Sequence, residues 1–134
     1  MDKIKGLLAA PYTPFDKKGK INTNIIGDYA QYLKDSNVRG VFVNGTTGEG
    51  LSLTLEERMN CVESWLRHQD DKFHVLVHVG HSSLEECKIF AVQAENNGAD
   101  AIGLIIPGSF KAQNLEILVA YNEEIAVMAP TLPY

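Results

Sequence analysis

Short apolar runs and amphipathic helical patterns alternate along the whole chain, and this alternation restricts the fold more than any other feature. Gly6-Leu7-Leu8-Ala9-Ala10, Val41-Phe42-Val43, His74-Val75-Leu76-Val77-His78-Val79 and Ala101-Ile102-Gly103-Leu104-Ile105-Ile106 have the length and composition of buried strands. Between them, apolar residues recur at helical spacing. Ile25, Ile26, Tyr29, Tyr32 and Leu33 outline a first helix. Met59, Val62, Trp65 and Leu66 mark a second, and Leu115, Leu118, Val119, Asn122 and Ile125 a fourth that extends to Met128. Thr54-Leu55-Glu56-Glu57 and Ser82-Ser83-Leu84-Glu85 have capping-box spacing at the starts of the second and third helices, and Gly98 is a stop signal for the third. Pro107-Gly108 closes the fourth strand, and Ala129-Pro130-Thr131-Leu132-Pro133-Tyr134 leads toward a fifth.

Strands that begin near positions 7, 41, 75 and 101, each followed by a helix, imply a parallel sheet with right-handed crossovers. Two α/β architectures fit: a doubly wound open sheet and a (β/α)8 barrel. The strands are short and uniform, and no Gly-x-Gly-x-x-Gly follows the first, which favours the barrel. A complete barrel needs eight units and about 250 residues, whereas these 134 residues hold four units. The expectation is therefore the N-terminal half of a single barrel domain over residues 1–134, as a shortened gene product or splice form. A stand-alone half-barrel that dimerises is the rival.

Composition narrows the partners. Hydrophobic content of 45%, charged content of 22% and a net charge of −5 without a basic cluster describe an ordinary globular chain, and argue against nucleic acid and anionic membranes. No apolar run approaches the ~20 residues of a membrane span, and the first residues lack a secretory h-region. Cys61 and Cys87 fall within helical patterns and read as reduced packing thiols, so a cytoplasmic location is expected.

The junction Val43-Asn44-Gly45-Thr46-Thr47-Gly48-Glu49-Gly50 is the candidate site. It stops a buried strand and gathers two hydroxyls and backbone N–H groups at one point. Its glycines permit a tight turn and close approach of a ligand. With no Lys or Arg in the loop, the fitting ligand is a small carboxylate held by neutral dipoles; Glu49 is expected to point away and anchor the loop. A plain connector using Thr46 and Thr47 as capping hydroxyls fits the same residues. His78 and His81 form a weak His-x-x-His pair with no carboxylate or Cys beside it, so no metal is expected. Tyr29 and Tyr32 read as helix-packing aromatics.

From Gly6 to Tyr134 the sequence resembles the pyruvate-dependent class I lyase family, which holds the N-acetylneuraminate lyases and the dihydrodipicolinate synthases. The resemblance is carried by Gly6-Leu7-Leu8-Ala9-Ala10-Pro11-Tyr12-Thr13-Pro14-Phe15, by Gly40 through Gly50, and by Gly98-Ala99-Asp100-Ala101. The Gly-Thr-Thr-Gly-Glu loop is the specific part. Asn44, the stretch Gly50-Leu51-Ser52-Leu53, and Gly80-His81-Ser82-Ser83 in place of Gly-Ala-Asn-Ser/Thr look more like the sialic acid lyases. The resemblance implies a barrel enzyme, commonly tetrameric, that needs no metal or organic cofactor. A Lys amine forms a Schiff base with the substrate ketone, a Tyr relays the proton, and a retro-aldol step gives N-acetylmannosamine and pyruvate. It makes Thr46 and Thr47 the binders of the substrate carboxylate. Another pyruvate aldolase, such as a dihydrodipicolinate synthase, and a non-catalytic half-barrel that binds a keto acid or a partner chain are the alternatives.

The family's Schiff-base Lys and relay Tyr fall on later strands, so no catalytic residue is expected in these 134 residues. Tyr134 reads as a strand-start aromatic. Lys3, Lys5, Lys17, Lys18 and Lys20 flank the first strand and its turn, and Lys34, Lys72 and Lys88 fit helix surfaces or ends. Lys111 is nearest the expected site mouth and reads as a solvated loop residue. The Tyr that some relatives insert into a neighbouring subunit has no counterpart in Pro107-Gly108-Ser109-Phe110.

Overall fold

A computed structural model describes residues 4–106 and 111–134. Pro107 through Phe110, where the strand-closing turn and the missing intersubunit Tyr were expected, lie outside the described residues. Four parallel strands stand in chain order: β1 (Leu8–Ala9), β2 (Gly40–Val43), β3 (His74–His78) and β4 (Ala101–Gly103). Each is followed by a helix: α1 (Ile26–Asp35), α2 (Leu55–Leu66), α3 (Leu84–Asn96) and α4 (Leu115–Ala126). The register pairs Leu8 with Gly40, Val41 with Val75 and Val77 with Ile102.

Period-2 geometry then sorts the strand residues into two faces. Val41, Val43, Val75, Val77 and Ile102 are buried against Ile26, Leu33, Val62, Trp65, Phe90 and Ile125 of the four helices. The opposite face carries Leu8, Phe42, Leu76 and Gly103, which are half-buried, beside the buried Gly40, His78 and Ala101. Helices therefore cover one face alone. A doubly wound sheet carries helices on both faces, so the strands form a segment of barrel wall with its concave side open.

The local signals explain most boundaries. Thr54 and Glu57 form the reciprocal capping box, the hydroxyl accepting from Glu57 N at 3.2 Å and the carboxylate from Thr54 N at 2.9 Å. At α3 the cap is one residue later than the sequence pattern: Ser83, not Ser82, accepts from Glu86 N. Gly98 stops α3 at φ +78°. The first helix starts at Ile26 after a 3-10 turn over Thr23–Ile25, because Ile21 is held in an antiparallel bridge to Phe15.

Three further expectations fail. Tyr32 is 67% exposed and Ile25 is 45% exposed, so the packing stripe of α1 is Ile26, Ala30 and Leu33, with Tyr29 partly buried beside them. Strands β1 and β4 are shorter than their apolar runs. Most of the apolar stripe of α4 is uncovered, with Leu115 72% and Val119 45% exposed and only Ile125 fully buried. Both cysteines are free and buried. Pro133 O accepts from Ile102 N at 2.9 Å, so the segment ending at Tyr134 lies along the outer edge of β4, where a fifth strand belongs.

Candidate functional site

Thr46 and Thr47 stand at the C-terminal end of β2, on the side where parallel α/β folds place their chemistry. The chain leaves the strand through Asn44, buried at φ 62°, a left-handed turn that Asn tolerates well. Glu49 is also left-handed at φ 54°. Between these corners the loop closes on itself: Glu49 N donates to Thr46 O at 3.0 Å and Gly50 N to Gly45 O at 3.2 Å. Thr13 Oγ1, from the segment after β1, donates to Gly48 O at 2.6 Å. A Cβ on Gly50 would collide with the carbonyl oxygen of Asn44, so this position is closed to other residues. The Glu49 side chain is exposed, and the anchoring expected of it is done by its backbone, whose carbonyl accepts from Ser52 N at 2.8 Å.

This wiring holds the loop by its ends and leaves its middle unspent. Thr46 and Thr47 are exposed, and among the described residues their hydroxyls make no hydrogen bond. The N–H groups of Thr46, Thr47 and Gly48 likewise donate to no acceptor there. Among the described residues the hydroxyls therefore cap nothing. Five donors on three residues can hold a carboxylate, whose oxygens accept several hydrogen bonds each.

A buried polar cluster that the sequence reading missed lies behind the loop. Arg58 of α2 is 1% exposed. Its Nη2 donates to His78 O at 2.6 Å and its Nη1 to Gly80 O at 2.9 Å, while the guanidinium stacks 3.8 Å over the Phe90 ring of α3. Asn44 Nδ2 donates to the main-chain oxygen of Arg58 at 3.0 Å. Desolvation pulls the guanidinium down to about 10, which leaves it charged at neutral pH. The signal was present in the sequence: Arg58 precedes Cys61, Val62 and Trp65 at helical spacing, a cation within an apolar stripe.

His78 belongs to this cluster rather than to a metal site. Its Nε2 accepts from Ile105 N at 3.0 Å, so the proton of the neutral ring sits on Nδ1. Phe42 packs edge-on, ring centroids 5.7 Å apart. Burial, then the Arg58 charge, hold the imidazole down at about 4. His81 turns elsewhere, its Nδ1 accepting from Ser83 N at 3.1 Å. Among the described residues no group of three His, Cys, Asp or Glu could hold a metal ion.

Three lysines and Tyr134 have defined surroundings. Lys88 bonds Glu124 at 2.7 Å and Glu85 at 3.3 Å, contacts that raise its pKa, the reverse of what an amine nucleophile needs. Lys34 pairs with Asp70 at 2.7 Å at the opposite end of the strands. Lys111 is exposed ahead of α4. The Tyr134 hydroxyl donates to Asn122 Oδ1 at 2.6 Å, and burial pushes its pKa up to about 12.

A one-sided parallel βα wall with unspent donors at the end of one strand defines a (β/α)8-type chain. Comparison with known proteins makes the class specific. The chain belongs to the Dihydrodipicolinate synthetase family, which matches residues 3–134. It is 45% identical to the N-acetylneuraminate lyase of Rattus norvegicus and 44% identical to that of Homo sapiens, and in both cases 98% of the chain matches 42% of the relative. It superposes on the N-acetylneuraminate lyase of Aliivibrio salmonicida with a TM-score of 0.93 at 36% identity, covering 44% of that chain. A dihydrodipicolinate synthase of Cyanidioschyzon merolae gives 0.89 at 26% identity. The fold is that of the TIM-barrel lyases, of which these residues form about the first four βα units. The chain spans about two fifths of the length of the curated relatives it matches. No described helix is long and apolar enough to cross a membrane.

Proposed function

We propose that this chain supplies the carboxylate-binding part of an N-acetylneuraminate lyase, and that residues 1–134 act as the N-terminal half of its barrel. The reaction is reversible retro-aldol cleavage of N-acetylneuraminate to N-acetylmannosamine and pyruvate. A Lys amine condenses with the ketone and releases water; the resulting iminium takes up the electron pair of the breaking carbon–carbon bond. A Tyr oxygen takes the proton from the substrate hydroxyl as that carbon becomes the aldehyde and passes it to the enamine carbon left behind; water then hydrolyses the iminium, releasing pyruvate and the free amine. Both groups are assigned to later strands. Thr46 and Thr47 hold the carboxylate next to the ketone, which fixes the carbon that the amine attacks. The iminium is the electron sink, so no metal or organic cofactor is required.

The observation that carries this reading is the unspent donor set of Thr46, Thr47 and Gly48 at the end of β2, in a chain whose relatives at 44–45% identity are named N-acetylneuraminate lyase. Two measurements test it. Pyruvate added to the 134-residue protein should shift the amide resonances of Thr46 and Thr47, and unmoved resonances would remove the carboxylate role. Borohydride reduction with pyruvate should leave its mass unchanged, with the full-length rat relative as positive control. A covalent adduct on the 134-residue chain would sink the assignment of the amine to a later strand.

A further inference from the structure

Arg58 is an expensive residue to keep where it is. Among the described residues no carboxylate pairs with it, and its Nε is buried without a partner, as is Asn44 Oδ1 in the same cluster. A buried polar group left without a partner is destabilising. An apolar side chain of similar length would fill the space between α2, β3 and Phe90 without burying a charge. What an apolar side chain cannot do is bond to two carbonyls at once. His78 O and Gly80 O mark the end of β3, and the peptide oxygen of Arg58 meets Asn44, the residue that turns β2 into the Thr-Thr loop. The His78 ring extends the chain of contacts to Ile105, just past β4. Gly80 leaves no slack, because a Cβ there would stand 2.8 Å from both the His78 ring and Ile105 O.

We propose that Arg58 is a positioning residue for the carboxylate cradle, fixing the loop after β2 relative to the ends of β3 and β4. It touches no substrate and acts through Asn44 and the β3 terminus. The proposal rests on the lyase reading only for the identity of the ligand. The geometric claim is independent of it: Arg58 meets the end of β3 with its side chain and Asn44, just past β2, with its peptide oxygen, and the His78 ring carries the contacts on to Ile105 past β4.

The test uses the 134-residue protein with Arg58→Met, Arg58→Lys and Asn44→Gly, the last keeping a residue suited to positive φ. Two quantities are read: amide hydrogen exchange at Glu49 and Gly50, whose N–H groups close the loop, and pyruvate affinity from the Thr46 and Thr47 resonances. Arg58→Met should keep a dispersed spectrum and protected β2 amides, while loop exchange accelerates and pyruvate affinity falls, each by about ten-fold. Arg58→Lys should recover part of both. Asn44→Gly should loosen the loop with Arg58 intact. Should Arg58→Met alone unfold, the other two variants decide by the same readouts. Exchange and affinity within two-fold of the parent in the folded variants would overturn the proposal. So would global unfolding of all three, which would make the cluster a determinant of the fold. If the parent binds no pyruvate, the lyase reading fails while loop exchange still decides the role of Arg58.

Discussion

Helices α2 and α4 are both 12 residues long, and the less apolar of the two is the better buried. α2 carries Arg58, Asn60, Glu63 and Ser64 among its apolar residues, yet buries Arg58, Cys61, Val62, Ser64 and Trp65. α4 reads Leu-Glu-Ile-Leu-Val-Ala-Tyr and buries Ile125 alone. The difference lies in their neighbours. α2 packs between α1 and α3, whereas the main helical neighbour of α4 is α3. Burial on a barrel wall is set by what stands on either side of a helix, and only then by the helix's own residues. The Thr-Thr loop belongs to the enclosed half, and its supports are all internal to β1 through β4.

Four experiments probe that contrast. Trp65→Ala should lose about 3–5 kcal/mol in urea titration, since Trp65 is 2% exposed and meets Tyr29 edge-on at 5.4 Å. Leu115→Ala on α4 should stay within about 0.5 kcal/mol. Comparable losses at the two sites would break the comparison. The second experiment is a pH dependence centred on His78. The folded ring titrates at about 4, against an ordinary value near 6.5. Between those values the unfolded chain takes up a proton that the native state refuses. Stability is therefore complete above about pH 6.5 and declines as pH falls toward 4, by an amount of order 2–3 kcal/mol. Urea midpoints at pH 7 and pH 4.5 should show this slope, and His78→Gln should flatten it; equal slopes would refute the assignment.

Gly50→Ala comes third, with an expected loss of about 1–3 kcal/mol from the collision with the Asn44 carbonyl. Displaced Thr46 and Thr47 amide resonances should accompany it. The smallest effect is chemical. Burial pushes the Cys61 thiol up to about 11, so at pH 8 it holds little thiolate. Iodoacetamide should leave Cys61 unmodified until the protein is unfolded, and rapid alkylation of the native chain would show that the α2 flank opens readily.

How legible was all this from the residues? Signals confined to one segment read well. Thr54 with Glu57, Gly98 and the Val-rich strands each carry their structural reason within a few positions, and the parallel order followed from their alternation. The Thr-Thr loop was legible because a Gly-rich junction after a strand has few uses. What was missed depends on residues far away in sequence. The exposure of Tyr32 and of α4 depends on which elements stand beside them. The short β4 is set by its pairing with β3. Arg58 was overlooked because its three bonded partners come from β2 and from the end of β3, and a cation in an apolar stripe shows no purpose until those carbonyls stand beside it. Whether one face of the sheet would be bare could not be read from periodicity, since a barrel wall and a doubly wound sheet use the same strand pattern.

The clamp by Arg58 on carbonyls 20 and 22 residues downstream also imposes an order of events on synthesis. A nascent chain arrested before Gly80 has emerged would carry α2 with its cation in water and no seat to occupy. Once β3 is out and paired, the guanidinium can leave solvent. Phenylglyoxal should thus label Arg58 in chains stalled before Gly80 and spare it in chains stalled well beyond, so that one side chain reports when the wall has closed around its second helix.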